Sequence, residues 1–332
     1  MGASRSNSNN LAKRNTINLR VENLILLNKK TRGLFYSLAI LVLIAPLIFI
    51  VMSYRDVAVT ESAAKTSSVV SSEIKNYVES SENDFERALD ISGRSAVASS
   101  VNFVVANGAP LANSTAALET LILNGSLNGI YLPLMQGNSI TNWTAKMAAK
   151  GSKYFMNTSA GVNYVSVNQT NAFYLDVSSS ITINATIDEY GTKISKTYLK
   201  TIQIPLDGVE DPLYPLNSNG LIERVMAANT STLSSAASLD SFVTSKQYVQ
   251  SSAGPSFLDR LEGRTAYNRG VGFESIININ DFIAQGLTIK EGKTMVDYIY
   301  FSNTSSTGTT VSGSALAWLL IDAASKTRYG VT

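Results

Sequence analysis

The sequence predicts an α+β chain: an N-terminal transmembrane helix continuing into a long extracytoplasmic helix, followed by a β-rich antiparallel globular domain. Three observations carry that prediction. Leu34 to Tyr54 is an uncharged apolar run, LFYSLAILVLIAPLIFIVMSY. The stretch after it has no proline before Pro110, and its apolar residues recur at helical spacing. From Val162 onward the period of the apolar residues drops to two, the repeat of a half-buried strand.

In chain order, residues 1–33 form a basic cytoplasmic segment. Arg5, Lys13, Arg14, Arg20, Lys29, Lys30 and Arg32 stand against one acid, Glu22, and basic residues beside a first membrane helix hold that side in the cytoplasm. Residues 34–54 form the membrane helix. At about 1.5 Å per residue they span a hydrocarbon core of roughly 30 Å, and they outrun the apolar core of about 7–15 residues in a cleaved secretory signal. Pro46 kinks such a helix without breaking it. Residues 55–105 read as an extended amphipathic helix, with Val70, Ile74, Tyr77, Val78, Phe85 and Leu89 on its apolar side. Gly108-Ala109-Pro110 closes it.

Residues 106–332 form the β-rich domain. Ile181, Ile183, Ala185 and Ile187 alternate with polar residues, Tyr190-Gly191 offers a reversal, and Ile194, Tyr198, Ile202, Ile204 and Leu206 return on one parity. This predicts an antiparallel hairpin, with Pro205 placing the end of its second strand at a sheet edge. Further strands are predicted at Asn163–Val167, Ala172–Val177, Met295–Phe301 and Ala315–Ile321. In SSAGPSFLDRLEGR, Pro255 opens and Gly263 closes a short helix that turns Phe257, Leu258 and Leu261 inward and Asp259, Arg260 and Glu262 to solvent.

Composition narrows the chemistry. The chain has no cysteine and no histidine, which removes disulfides, Cys/His metal sites, thiol nucleophiles and imidazole catalysis. No cofactor is expected, no catalytic residue is singled out, and the chain reads as a non-enzyme. Asp207, Glu210 and Asp211 share a proline-bounded loop and form a weak calcium candidate, for which a solvated acidic turn is the plainer reading. Up to residue 54 there are 7 Lys+Arg and 1 acid, and beyond it 20 and 24, so the outer part is acidic and nucleic acid is not an expected partner. The lipid bilayer is. Asn-x-Ser/Thr acceptors at Asn113, Asn124, Asn142, Asn157, Asn168, Asn184, Asn229 and Asn303 all follow the apolar run, which fits a glycosylated outer domain.

Lys29-Lys30-Thr31-Arg32-Gly33 followed directly by the apolar run, and then by a long helix leading into a β-rich domain, resembles the N-terminal layout of type IV pilin-like proteins. The resemblance covers residues 29 to about 105. It implies peptidase cleavage between Gly33 and Leu34 and packing of the apolar helix with other pilin-like subunits or cell-surface components. Pilins usually carry a glutamate five residues after the cut; here that position is Leu38, as in some minor or tip-located members. The segments Gly254–Gly263, Val296–Phe301 and Trp318–Asp322 are also similar to archaeal surface proteins of this pilin-like type. Two classes of function follow: a membrane-anchored structural or adhesive surface protein, or a membrane-anchored ectodomain that binds or acts on carbohydrate.

Overall fold

The computed structural model describes the backbone of residues 8–266 and 270–332, and side chains from Ser37 onward except Ala39, Ser62 and Ala63. The start of the basic segment and all its side chains therefore lie outside the described residues. The chain divides into two units, residues 1–70 and 71–332.

Helix α1 runs Ser8–Asn107 with Pro46 inside it. In the first unit its apolar stretch is exposed on every side, and it holds the one helix among the described residues that is long and apolar enough to cross a membrane. In the second unit Ile74, Tyr77, Val78, Phe85 and Leu89 are buried, which is the stripe that the helical spacing predicts. Gly108, in the left-handed region at φ 59°, ends the helix two residues before Pro110.

Helices α2 (Ser114–Asn124) and α3 (Ile140–Ser152) pack on this part of α1. Asn113 and Ser139 cap their N-termini, accepting bonds from Ala116 N and Asn142 N. Two short strands, β1 (Ser126–Leu127) and β2 (Ile130–Tyr131), form a small ribbon between them. Ser92 Oγ donates to Ile122 O at 2.9 Å, Tyr77 Oη donates to Met147 O at 2.7 Å, and Phe85 meets Trp143 at 5.5 Å.

The sheet lies against the same stretch of α1. Strands β3 (Asn157–Asn171), β4 (Tyr174–Ile187) and β5 (Thr192–Pro205) form one antiparallel sheet in the order β3-β4-β5. The strand candidates Asn163–Val167 and Ala172–Val177 fall within β3 and at the β3–β4 turn with the start of β4. A 3-10 turn at Asp188–Tyr190 and Gly191 at φ 62° join β4 to β5, so the hairpin forms where the alternation places it, and Pro205 ends an edge strand. Ile181, Ile183, Ala185 and Ile187 are buried. Tyr198 Oη donates to Val78 O at 3.1 Å, and Lys200 Nζ meets Glu82 at 3.0 Å and Glu86 at 3.3 Å.

The remainder is built from short elements: α4 (Leu213–Asn217), α5 (Ala236–Thr244), β6 (Tyr248–Ser251), α6 (Phe257–Leu261), β7 (Gly272–Ser275), α7 (Ile279–Ala284), α8 (Asp297–Phe301), β8 (Thr309–Thr310), β9 (Leu320–Ile321) and α9 (Ala323–Tyr329). Strands β6 and β7 pair antiparallel, as do β8 and β9. Two expectations are corrected here. Met295–Phe301 is not a strand: it enters the helical turn α8, because Tyr300 N bonds Val296 O at 2.8 Å while Tyr300 and Phe301 pack on Phe282. Ala315–Ile321 keeps only Leu320–Ile321 as strand, since Asp240 takes the Ala315 N–H and the Ser314 hydroxyl at 2.7 and 2.5 Å.

Candidate functional site

Strand β7 carries chemistry on both faces, because successive side chains of a strand point opposite ways. One face meets a buried ion cluster. Arg260 Nη1 lies 2.5 Å from Asp211 and 2.9 Å from Asp297, all three fully buried. Arg260 Nη2 donates to Phe273 O at 2.6 Å, and the guanidinium sits 4.3 Å from the Phe273 ring centre. Tyr248 Oη donates to Asp211 at 3.0 Å and Ser275 Oγ to Asp297 at 2.8 Å. Arg224 stacks near Tyr214 and Tyr248 and donates to Ile276 O at 3.0 Å. Burial pushes the Asp211 carboxyl above its ordinary range, against the pull of Arg260.

This cluster corrects the expectation that Asp259 and Arg260 of the GPSFLDRLEG segment face solvent. Ser256 caps α6, Asp259 closes the capping box by accepting from Ser256 N at 3.1 Å, and Arg260 is buried. Pro255 stands just outside the helix, its carbonyl accepting from Phe273 N at 3.3 Å. The Glu262 side chain, also expected at the surface, is only 4% exposed and accepts from Ser114 N and Oγ at 2.9 and 2.8 Å. The backbones touch here: a Cβ on Gly272 would stand 1.9 Å from Gly254 O.

The other face of β7 presents Glu274, 1% exposed, at the floor of a cleft of about 450 Å³. Its carboxylate accepts from Ser251 Oγ at 2.8 Å, Tyr329 Oη at 2.8 Å and Arg328 Nη2 at 3.0 Å. Burial raises the Glu274 carboxyl above its usual range, with Arg328 opposing. The cleft is also lined by Phe173 and Tyr174 from the β3–β4 turn, Asn171, Gln250 and the Asn229–Leu233 loop. Phe173 is fixed by stacking on Phe273 at 5.7 Å, whereas Tyr174 is 41% exposed.

No protein-family model, curated protein or solved structure matches the chain. Its own residues carry what can be said of function.

The acidic loop does not assemble a cation site. Residues 209–211 run extended, with Glu210 bridging Val225 and Asp211 N bonding Arg224 O, so neighbouring side chains diverge. Asp207 accepts from Ala228 N at 3.0 Å, Asp211 belongs to the Arg260 cluster, and the Glu210 carboxyl is raised by burial. Among the described residues no three carboxylates converge.

The eight asparagines fall in different settings. Asn157, Asn168 and Asn184 lie on the outer face of the sheet, with Ser159, Thr170 and Thr186 beside them. In a strand, residues two apart share a face, so a hydroxyl- and amide-rich sheet face generates the Asn-x-Ser/Thr spacing by itself. Asn113 caps α2, Asn124 ends it, and Asn142 Nδ2 is held by Tyr131 Oη at 2.7 Å and Ser139 Oγ at 2.9 Å. Asn229, its Nδ2 on Gln247 Oε1 at 3.0 Å, lies at the cleft. Asn303 is exposed on the loop after α8. Gly33 and Leu34 fall within α1, with their side chains outside the described residues.

Sequence reasoning missed Arg260, Asp297 and Glu274. Their signal is a charge set inside an apolar stretch: Phe257-Leu258-Asp259-Arg260-Leu261, Val296-Asp297-Tyr298 and Gly272-Phe273-Glu274.

Proposed function

We propose that the chain is a membrane-anchored cell-surface protein with a structural or adhesive role, laid out like a minor type IV pilin-like subunit. The observation that carries this reading is the contrast along α1. Between Ile40 and Tyr54 the helix is apolar all round and open on all sides, with Leu43 70%, Phe49 73% and even Ile44 47% exposed. A helix of that kind needs a non-aqueous surround, at about 25 cal/mol for each Å² of apolar surface withheld from water. From Ile74 onward α1 buries a stripe against helices and an antiparallel sheet. The basic flank favours a cytoplasmic N-terminus, and the acceptor asparagines suit an outer, glycosylated second unit. Its partners are then the bilayer and other pilin-like subunits or cell-surface components.

Mass spectrometry of the chain from native membranes tests the layout. A chain starting at Leu34 supports processing and a pilin-like subunit, while a start at Met1 or Gly2 leaves a static anchor. Release of the unprocessed chain by alkaline carbonate would overturn the membrane reading altogether.

A further inference from the structure

We infer that the cleft over Glu274 binds a neutral saccharide, with the Tyr174 ring as its stacking platform. The inference does not depend on the membrane reading. A volume of about 450 Å³ falls in the range of small-ligand sites, roughly 300–1,000 Å³. Pyranose rings present an apolar C–H face and a belt of hydroxyls that both donate and accept. The cleft matches both needs: Tyr174 offers a half-exposed aromatic ring, and Asn171, Gln250 and Thr232 offer amides and a hydroxyl around it.

Charge selects among saccharides. Among the described residues, Glu274 is the one carboxylate of the lining and Arg328 the one cation, and they are bonded to each other, a balanced pair that favours a neutral sugar over a phosphate, sulfate or uronic acid. The Glu274 oxygens are already taken by Ser251, Tyr329 and Arg328. Glu274 holds Arg328 by Nε and Nη2, and among the described residues Nη1 takes no part in that fork, which suits it to donate to a sugar oxygen. The pair has one end in the protein and one toward water: the Glu274 side chain is buried while that of Arg328 is 31% exposed, so the arginine is held in place at the cleft and still reachable from it. Bond cleavage is not part of the proposal: glycoside hydrolysis needs a second carboxylate about 5–10 Å away, and the described residues of the lining include only Glu274.

The test uses the full chain in nanodiscs, screened on an array of neutral and acidic oligosaccharides and then titrated with the neutral disaccharides that bind. Binding of neutral sugars, weakened at least tenfold by Tyr174→Ala and by Gln250→Ala but kept by Tyr174→Phe, is the expected result. Tyr190→Ala, which removes a ring of equal exposure at the other end of β4, should bind as the parent does. All these side chains are exposed, so unchanged melting temperatures will separate lost contact from lost fold. Absence of binding to every neutral sugar at millimolar concentration overturns the proposal. So does binding confined to acidic sugars, or binding indifferent to both alanine variants.

Discussion

Removing Arg260 would leave Asp211 and Asp297 buried without the cation they share. An uncompensated buried charge of this kind costs about 3–5 kcal/mol, so Arg260→Ala should lower the unfolding free energy by that order in a urea titration, or leave no folded chain. Glu274 governs a gentler effect. Its folded carboxyl holds a proton more tightly than the unfolded one, because burial outweighs Arg328, and Asp211 and Glu210 are shifted the same way. A raised carboxyl stabilises the fold below its ordinary range and forfeits that stability as pH rises through the raised value. The melting temperature should therefore climb as pH falls from neutrality toward the ordinary carboxylate range, and Glu274→Gln should flatten the climb. A melting temperature that falls over that interval would contradict the assignment. Asp322, whose carboxyl is lowered by its Ser325 and Thr294 bonds against the effect of burial, stabilises the fold throughout that interval and loses its contribution only in more acid solution.

At the scale of elements, two contacts invite substitution. Phe155 occupies the left-handed region at φ 57° just past the end of α3 and is 90% exposed, so the chain carries strain there without burying the ring. Phe155→Gly should stabilise by about 1 kcal/mol; a loss of stability would mean that the ring has a partner. Gly272→Ala should cost about 3 kcal/mol or more, since a Cβ there would overlap the Gly254 carbonyl. Gly161→Ala, with no atom within 4 Å of the new carbon, serves as the control. These elements also show what a sequence reveals. The β4–β5 hairpin and the buried stripe of α1 were readable because their periodicity is local, two residues in one case and three to four in the other. The α8 turn was not, since aromatic and β-branched residues favour a strand and only packing against Phe282 and the ion cluster overrides them. Asp211, Arg260, Glu274 and Asp297 lie far apart in the chain, and no spacing rule connects them.

At the scale of the whole molecule, the proposed topology leaves residues 1–33 inside and everything after about residue 55 outside. Protease added to intact cells should remove the second unit, and full protection of that unit would reverse the orientation. The outer sheet face bears on the same experiment. Asn157, Asn168 and Asn184 share it, so glycans on any of them would cover one side of the sheet, and enzymatic deglycosylation should speed cleavage there if they are modified.

The ties between α1 and the sheet have a mechanical consequence. Tyr198 grips the helix at Val78, Lys200 holds it at Glu82 and Glu86, and Gly93 lies against Ile204, so the attachments span about four turns of one continuous rod. Tension entering the second unit at Ser71 would load these attachments together rather than peel them one by one. Pulled through α1, the second unit would then yield at a high force in a single step, and Tyr198→Phe with Lys200→Ala should bring that force down.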